Sequence, residues 1–181
     1  LGEIYASAGD LEGAVQTHQD MLLLQPDNLE IRERLASLYK QKGDQPSAVQ
    51  EYFNLARSYE EAEDWDAAQI NYQEILDLEP KNVEALRSLI QVTGNQGDIE
   101  SFIQYSKELA DHFESMHAWA DAIPLYAGII ERDKKQLFAY QKLAACYEGT
   151  GEIDQAVSVY KSLAEQYEEN GAYEAAISQL E

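Results

Sequence analysis

The residues able to do chemistry in this 181-residue chain are three histidines, one cysteine and 34 acidic side chains against 13 basic ones. His112 and His117 are five apart, a spacing that a helix turns onto different faces, and no second cysteine joins Cys146. Metal binding by nearby His or Cys ligands therefore has no support in the spacing. Carboxylate pairs are frequent, as any chain with this many acids makes them by chance. A Gly-rich phosphate loop, a serine nucleophile elbow and an Asp/Asn-rich calcium loop are all missing from the sequence. No enzyme, cofactor or metal site is read from it. His18 and Cys146 read as packed core residues.

The formal charge of −21 repels phosphates, which argues against nucleic acid and against anionic membrane surfaces. It favours a basic protein or peptide partner. No apolar run approaches the roughly 18 residues that span a bilayer. With its lone cysteine the chain has no internal disulfide framework, so a soluble, cytoplasmic protein is expected.

The elements that carry these residues follow a pattern. Leu-small-x2-Tyr appears as Leu35-Ala36-x2-Tyr39 and Leu55-Ala56-x2-Tyr59; Ala-x3-aromatic appears as Ala48-x3-Tyr52 and Ala68-x3-Tyr72; Pro80 closes one copy. Marker positions fall at Ala14, Ala48, Ala68, Phe102, Ala122, Ala156 and Ala176, with gaps that alternate between 34 and 20. The true period is then 54 residues, long enough for three helices. Leu35/Leu89/Leu143, Gly43/Gly97/Gly151, Ala56/Ala110/Ala164 and Trp65/Trp119/Tyr173 keep size and polarity at that offset, as repeated packing sites require.

This pattern resembles the tetratricopeptide repeat (TPR), a helical hairpin of about 34 residues that stacks into solenoids. The resemblance implies an all-α, TPR-like right-handed solenoid of antiparallel helices, with residues 1–28 ending one repeat, 29–82 and 83–136 forming two, and 137–181 a truncated third. The first helix of each repeat is expected over Leu29–Gln41, Val83–Asn95 and Leu137–Glu148. The middle helix is expected to be longer, over Pro46–Ala62, Ile99–Ser115 and Asp154–Glu169. The third is expected over Trp65–Leu78, Ala118–Arg132 and from Ala172 onward. Gly-acid pairs such as Gly43-Asp44 and Gly97-Asp98 should end one helix and cap the next. Pro124, inside a helix, should kink it. Uncapped termini read as an excerpt of a longer array and leave self-association open.

By the same resemblance the chain is a noncatalytic protein-interaction scaffold; the alternative is a regulatory array attached to an enzyme or NTPase outside this stretch. Family groove positions carry over to Glu33, Arg87 and Gln141 on first helices, and to Phe53, Arg57, Lys107 and Lys161 on middle helices. Glu60, Glu114 and Glu168 recur at one position in the last turn of the middle helix, where the helix dipole disfavours a carboxylate. With Glu61, Asp111 and Glu165 they form an expected acidic ladder for a basic segment, whose replacement by Gln should leave melting unchanged.

Overall fold

The computed structural model describes residues 10–169, and every regular element among them is an α-helix. In chain order these are α1 (Leu11–Leu24), α2 (Leu29–Lys42), α3 (Gln45–Glu61), α4 (Trp65–Leu78), α5 (Val83–Gln96), α6 (Ile99–Ser115), α7 (Trp119–Arg132), α8 (Leu137–Thr150) and α9 (Ile153–Glu169). Leu29, Val83 and Leu137 open equivalent helices, as do Gln45, Ile99 and Ile153. The middle helices α3, α6 and α9 have 17 residues each; their neighbours α2, α4, α5 and α7 have 14. The expected helix beginning near Ala172, and the motif copies at Tyr5 and Ala176, lie outside the described residues.

Local chemistry sets these boundaries. A side-chain oxygen caps most N-termini: Asp44 accepts from the Ser47 amide, Asp64 from Ala67, Asp98 from Ser101, and Asn82 from Ala85. Each satisfies a backbone donor that the first turn leaves unpaired. Gly43, Gly97 and Gly151 sit at φ of +78°, +74° and +81°, the left-handed conformation that ends a helix with little strain in glycine. Pro124 does not end α7, which continues through it to Arg132.

The chain divides into two compact units, Leu1–Val92 and Thr93–Glu181. In the first, the buried face of α2 (Leu35, Ala36, Leu38) and both faces of α3 (Ala48, Leu55, Ala56) are closed to solvent, with Ala68, Tyr72 and Ile75 of α4. In the second, Leu109 and Ala110 of α6, Ala122, Tyr126 and Ile129 of α7, and Leu143 and Ala144 of α8 play the same parts. A 17-residue helix packed on both sides needs small residues where neighbours approach closely. Ala68 and Ala122 are fully buried at such points. Leucine at either should overpack the contact and cost about 1–3 kcal/mol, read from urea denaturation; a neutral result at both would mean that these faces are not packed against a neighbour.

The second unit replaces one motif residue by a larger one. Phe102 stands where α3 and α9 have Ala48 and Ala156. Two glycines face it: a Cβ on Gly128 would lie 3.6 Å from the Phe102 ring, and one on Gly94 3.8 Å from it, both at ordinary contact distance. The first unit carries Lys40 and Glu74 at those two positions, joined as an ion pair. In the second unit the Arg132 guanidinium covers the ring, 4.6 Å from its centroid. A buried phenyl group and a cation–π contact thus stand in for a salt bridge.

Candidate functional site

Carboxylates in the last turns of α3 and α6 meet the tyrosines of the following helices. Glu60 is half-buried and accepts a hydrogen bond from Tyr72, while desolvation lifts its carboxyl above the ordinary range. Glu114 lies beside Tyr126 and accepts a hydrogen bond from Lys142 Nζ at 2.6 Å. Asp111 takes a bond from the Tyr126 hydroxyl at 2.9 Å and from Lys107 Nζ at 2.6 Å. Burial, then these two acids, drive the Tyr126 phenol far above its usual pKa.

This arrangement corrects part of the expected ladder. Glu60 and Glu114 are turned into interhelical contacts, and replacing Glu114 removes the acceptor of Lys142. Gln at Glu60 and Glu114 is therefore expected to lower the melting temperature, whereas Gln at the exposed Glu168 is not. Glu168, Glu61 and Glu165 are exposed. The sequence signal for the pairing was a tyrosine twelve residues after each of the first two rungs, at Tyr72 and Tyr126.

The other expected groove residues divide similarly. Phe53 is buried, edge-on to Tyr72 at 6.0 Å, with the Arg57 guanidinium 5.6 Å from its ring centroid; it is a packing residue, not an open contact. Arg57 reaches Glu84 at 2.7 Å. Glu33 accepts from the Tyr59 hydroxyl at 2.6 Å, and Gln141 donates to Tyr167 at the equivalent place, at 3.3 Å. Arg87 and Lys161 are exposed.

Lys107, Asp111, Glu114, Ser115, Trp119 and Lys142 line an open cleft of about 460 Å³ in the second unit. Trp119 reaches it because Gly149 lets the indole lie against α8, where a Cβ would be 2.7 Å from the ring. Next to this wall, burial and then the Glu114 charge push the Cys146 thiol up to about 11, away from the thiolate that nucleophilic chemistry uses. The two amines and the two carboxylates of the cleft are paired with one another, Lys107 with Asp111 and Lys142 with Glu114.

His18 is buried, with Nδ1 donating to the Ala14 carbonyl at 2.8 Å, as a packed residue should. Among the described residues no group of three His, Cys, Asp or Glu is placed to hold a metal ion, and no helix is long and apolar enough to cross a membrane.

The tyrosines give the first unit a pH dependence. Tyr52 is pushed up to about 12 by burial and then by the Glu74 charge. Tyr59 reaches about 12 through its hydrogen bond to Glu33, then burial. Both phenols hold their protons more tightly when folded, so this stabilisation is present below the unfolded value of about 10. It is lost as pH rises through about 12. Melting temperature should therefore fall between about pH 10 and 12, and less steeply in Tyr59→Phe; an unchanged slope would exclude the Glu33 contact as a cause.

Two sequence profiles described as tetratricopeptide repeat match the chain, over residues 53–109 and 115–180. Among solved structures, the crystal structure of MamA is similar at 21% identity, covering 96% of this chain and 98% of that one, with a TM-score of 0.33. A putative kinesin light chain of Podosopora anserina with nearly identical TPR-like repeats shares 16% identity over 93% of this chain and 92% of its own, TM-score 0.45. A tetratricopeptide repeat protein from Parabacteroides merdae shares 14% over 98% and 87%, TM-score 0.31. Among curated proteins nothing matches the sequence.

Proposed function

The chain belongs to the tetratricopeptide repeat family, and from that premise we propose that it is a noncatalytic scaffold that binds a basic segment of a partner protein. One observation carries the reading. Among the described residues, ion pairs occupy Arg32, Lys40, Lys42, Arg57, Lys107 and Lys142. With so many of the 13 basic residues spent on internal carboxylates, the charge left to meet a partner is acidic. In the second unit Glu165 and Glu168 offer it on the last turns of α9; Glu61 offers it separately on α3 of the first. The repeat itself we take as the three-helix unit of 54 residues, because equivalent helices open at that interval.

Exposed charges are screened beyond about 8 Å at physiological ionic strength. Binding of a fluorescein-labelled Lys-rich peptide, followed by anisotropy, should weaken several-fold or more between about 0.03 and 0.3 M salt. A Glu61→Gln/Glu165→Gln/Glu168→Gln variant should bind more weakly and associate more slowly, with an unchanged melting temperature because these groups are exposed. A variant that matches the parent at low salt would sink the proposal.

A further inference from the structure

We infer that the cleft lined by α6, α7 and α8 takes the ring of a phenylalanine or tyrosine side chain from a partner segment. The first unit shows what the fold does at the equivalent place. Counting back 54 residues, Lys107, Asp111, Trp119 and Lys142 correspond to Phe53, Arg57, Trp65 and Ser88. There the chain supplies a ring of its own. Phe53 is 7% exposed, edge-on to Tyr72 at 6.0 Å, with the Arg57 guanidinium 5.6 Å from its centroid. In the second unit α6 carries Lys107 instead of a ring at that position, and an open space of about 460 Å³ remains.

The lining selects the chemistry of the occupant. Lys107 holds Asp111 and Lys142 holds Glu114, both at 2.6 Å. An entering carboxylate would have to take an ammonium from its partner, and an entering amine or guanidinium would have to take a carboxylate. A neutral ring displaces neither. Its electron-rich face can receive an ammonium while the ion pair stays intact. The Lys107 and Lys142 side chains are 50% and 43% exposed, which leaves them room to settle over a ring. The chain makes this contact twice with its own residues, Phe53 under Arg57 and Phe102 under Arg132.

Trp119 supplies the apolar wall. Gly149 stands where the other copies of the repeat have Gln41 and Asn95. Because a Cβ on it would meet the indole at 2.7 Å, a larger residue would push the wall out of place. A flat wall, two ammoniums and a volume within the usual range of small-ligand pockets fit one aromatic side chain, the kind of residue that anchors many interfaces. The site uses none of Glu61, Glu165 and Glu168, so it stands or falls apart from the binding of a basic segment.

Tryptophan fluorescence tests this. The chain has two tryptophans, and Trp65→Phe leaves Trp119 as the sole reporter. The probe is the uncharged peptide acetyl-Gly-Gly-Phe-Gly-Gly-amide, compared with the same peptide carrying Leu in place of Phe. Titration should change Trp119 emission saturably, with affinity for the Phe peptide about threefold or more above that for the Leu peptide. Salt should matter little, because the probe carries no charge. Lys107→Phe, which sets the first unit's ring in the cleft, should abolish the response with helical circular dichroism retained. Gly149→Gln should abolish it by moving the indole. Glu61→Gln/Glu165→Gln/Glu168→Gln in the same background should respond like the parent. The inference is overturned by no saturable change in the parent, by equal affinity for the two peptides, or by a parent-like response in either cleft variant. A response lost with the three glutamates would overturn it too.

Discussion

Phe102→Ala should lose about 3–5 kcal/mol of folding stability, the range for truncating a large aromatic side chain in a core. Alanine suits the helix and is the residue at Ala48 and Ala156, so the loss does not come from backbone propensity. It comes from the void that Gly94 and Gly128 leave around a missing ring, and from the contact with Arg132. Urea denaturation with an unchanged m-value is the measurement. Adding Gly128→Leu to Phe102→Ala should recover part of the loss by refilling the space. A Phe102→Ala penalty below about 1 kcal/mol would mean that the ring is not part of the core.

Glu114→Ala should destabilise by about 1–3 kcal/mol, and its sign separates two accounts of the residue. A solvated carboxylate at the C-terminal end of a helix is disfavoured by about 0.3–1 kcal/mol, so removing it would stabilise the protein. A carboxylate that holds Lys142 across a helix contact can only be removed at a loss. Glu114→Gln should cost less, because its amide oxygen still accepts a hydrogen bond. A double-mutant cycle with Lys142→Ala should give a coupling of about 0.5 kcal/mol or more; additivity would show that the two side chains do not act together.

The helices were legible in the sequence to within a residue or two, because caps and stops are local. Asp44, Asp98 and the glycines at 43 and 97 act within one turn of their own position. Trp65 was placed at the start of its helix, and Trp119 within one residue of it. What the sequence hid was which polar groups face one another across a hairpin. Glu60 was read by its helix end, a local property, while its hydrogen bond is made with Tyr72 on the next helix. Phe53 was assigned to an open groove by position in the motif, whereas its burial depends on Tyr72 and Arg57, neither of which the motif specifies. Phe102 was seen as a departure from the pattern. Its compensation at Gly94 and Gly128 becomes visible only once Lys40 and Glu74 are known to touch.

That exchange of an ion pair for a ring bears on how such repeats can be shuffled. Recombination between repeats is harmless only where the crossover leaves packing partners on the same side of the join. A crossover within α6 or α7 that imports Phe102 with Glu74 in place of Gly128 would set a charged side chain beside the ring without the Lys40 that pairs with it in the first unit. The reverse would leave Ala48 facing two glycines and a hole. Gly94, Phe102 and Gly128 therefore act as a single packing block spanning α5 to α7, and viable crossovers should avoid its interior.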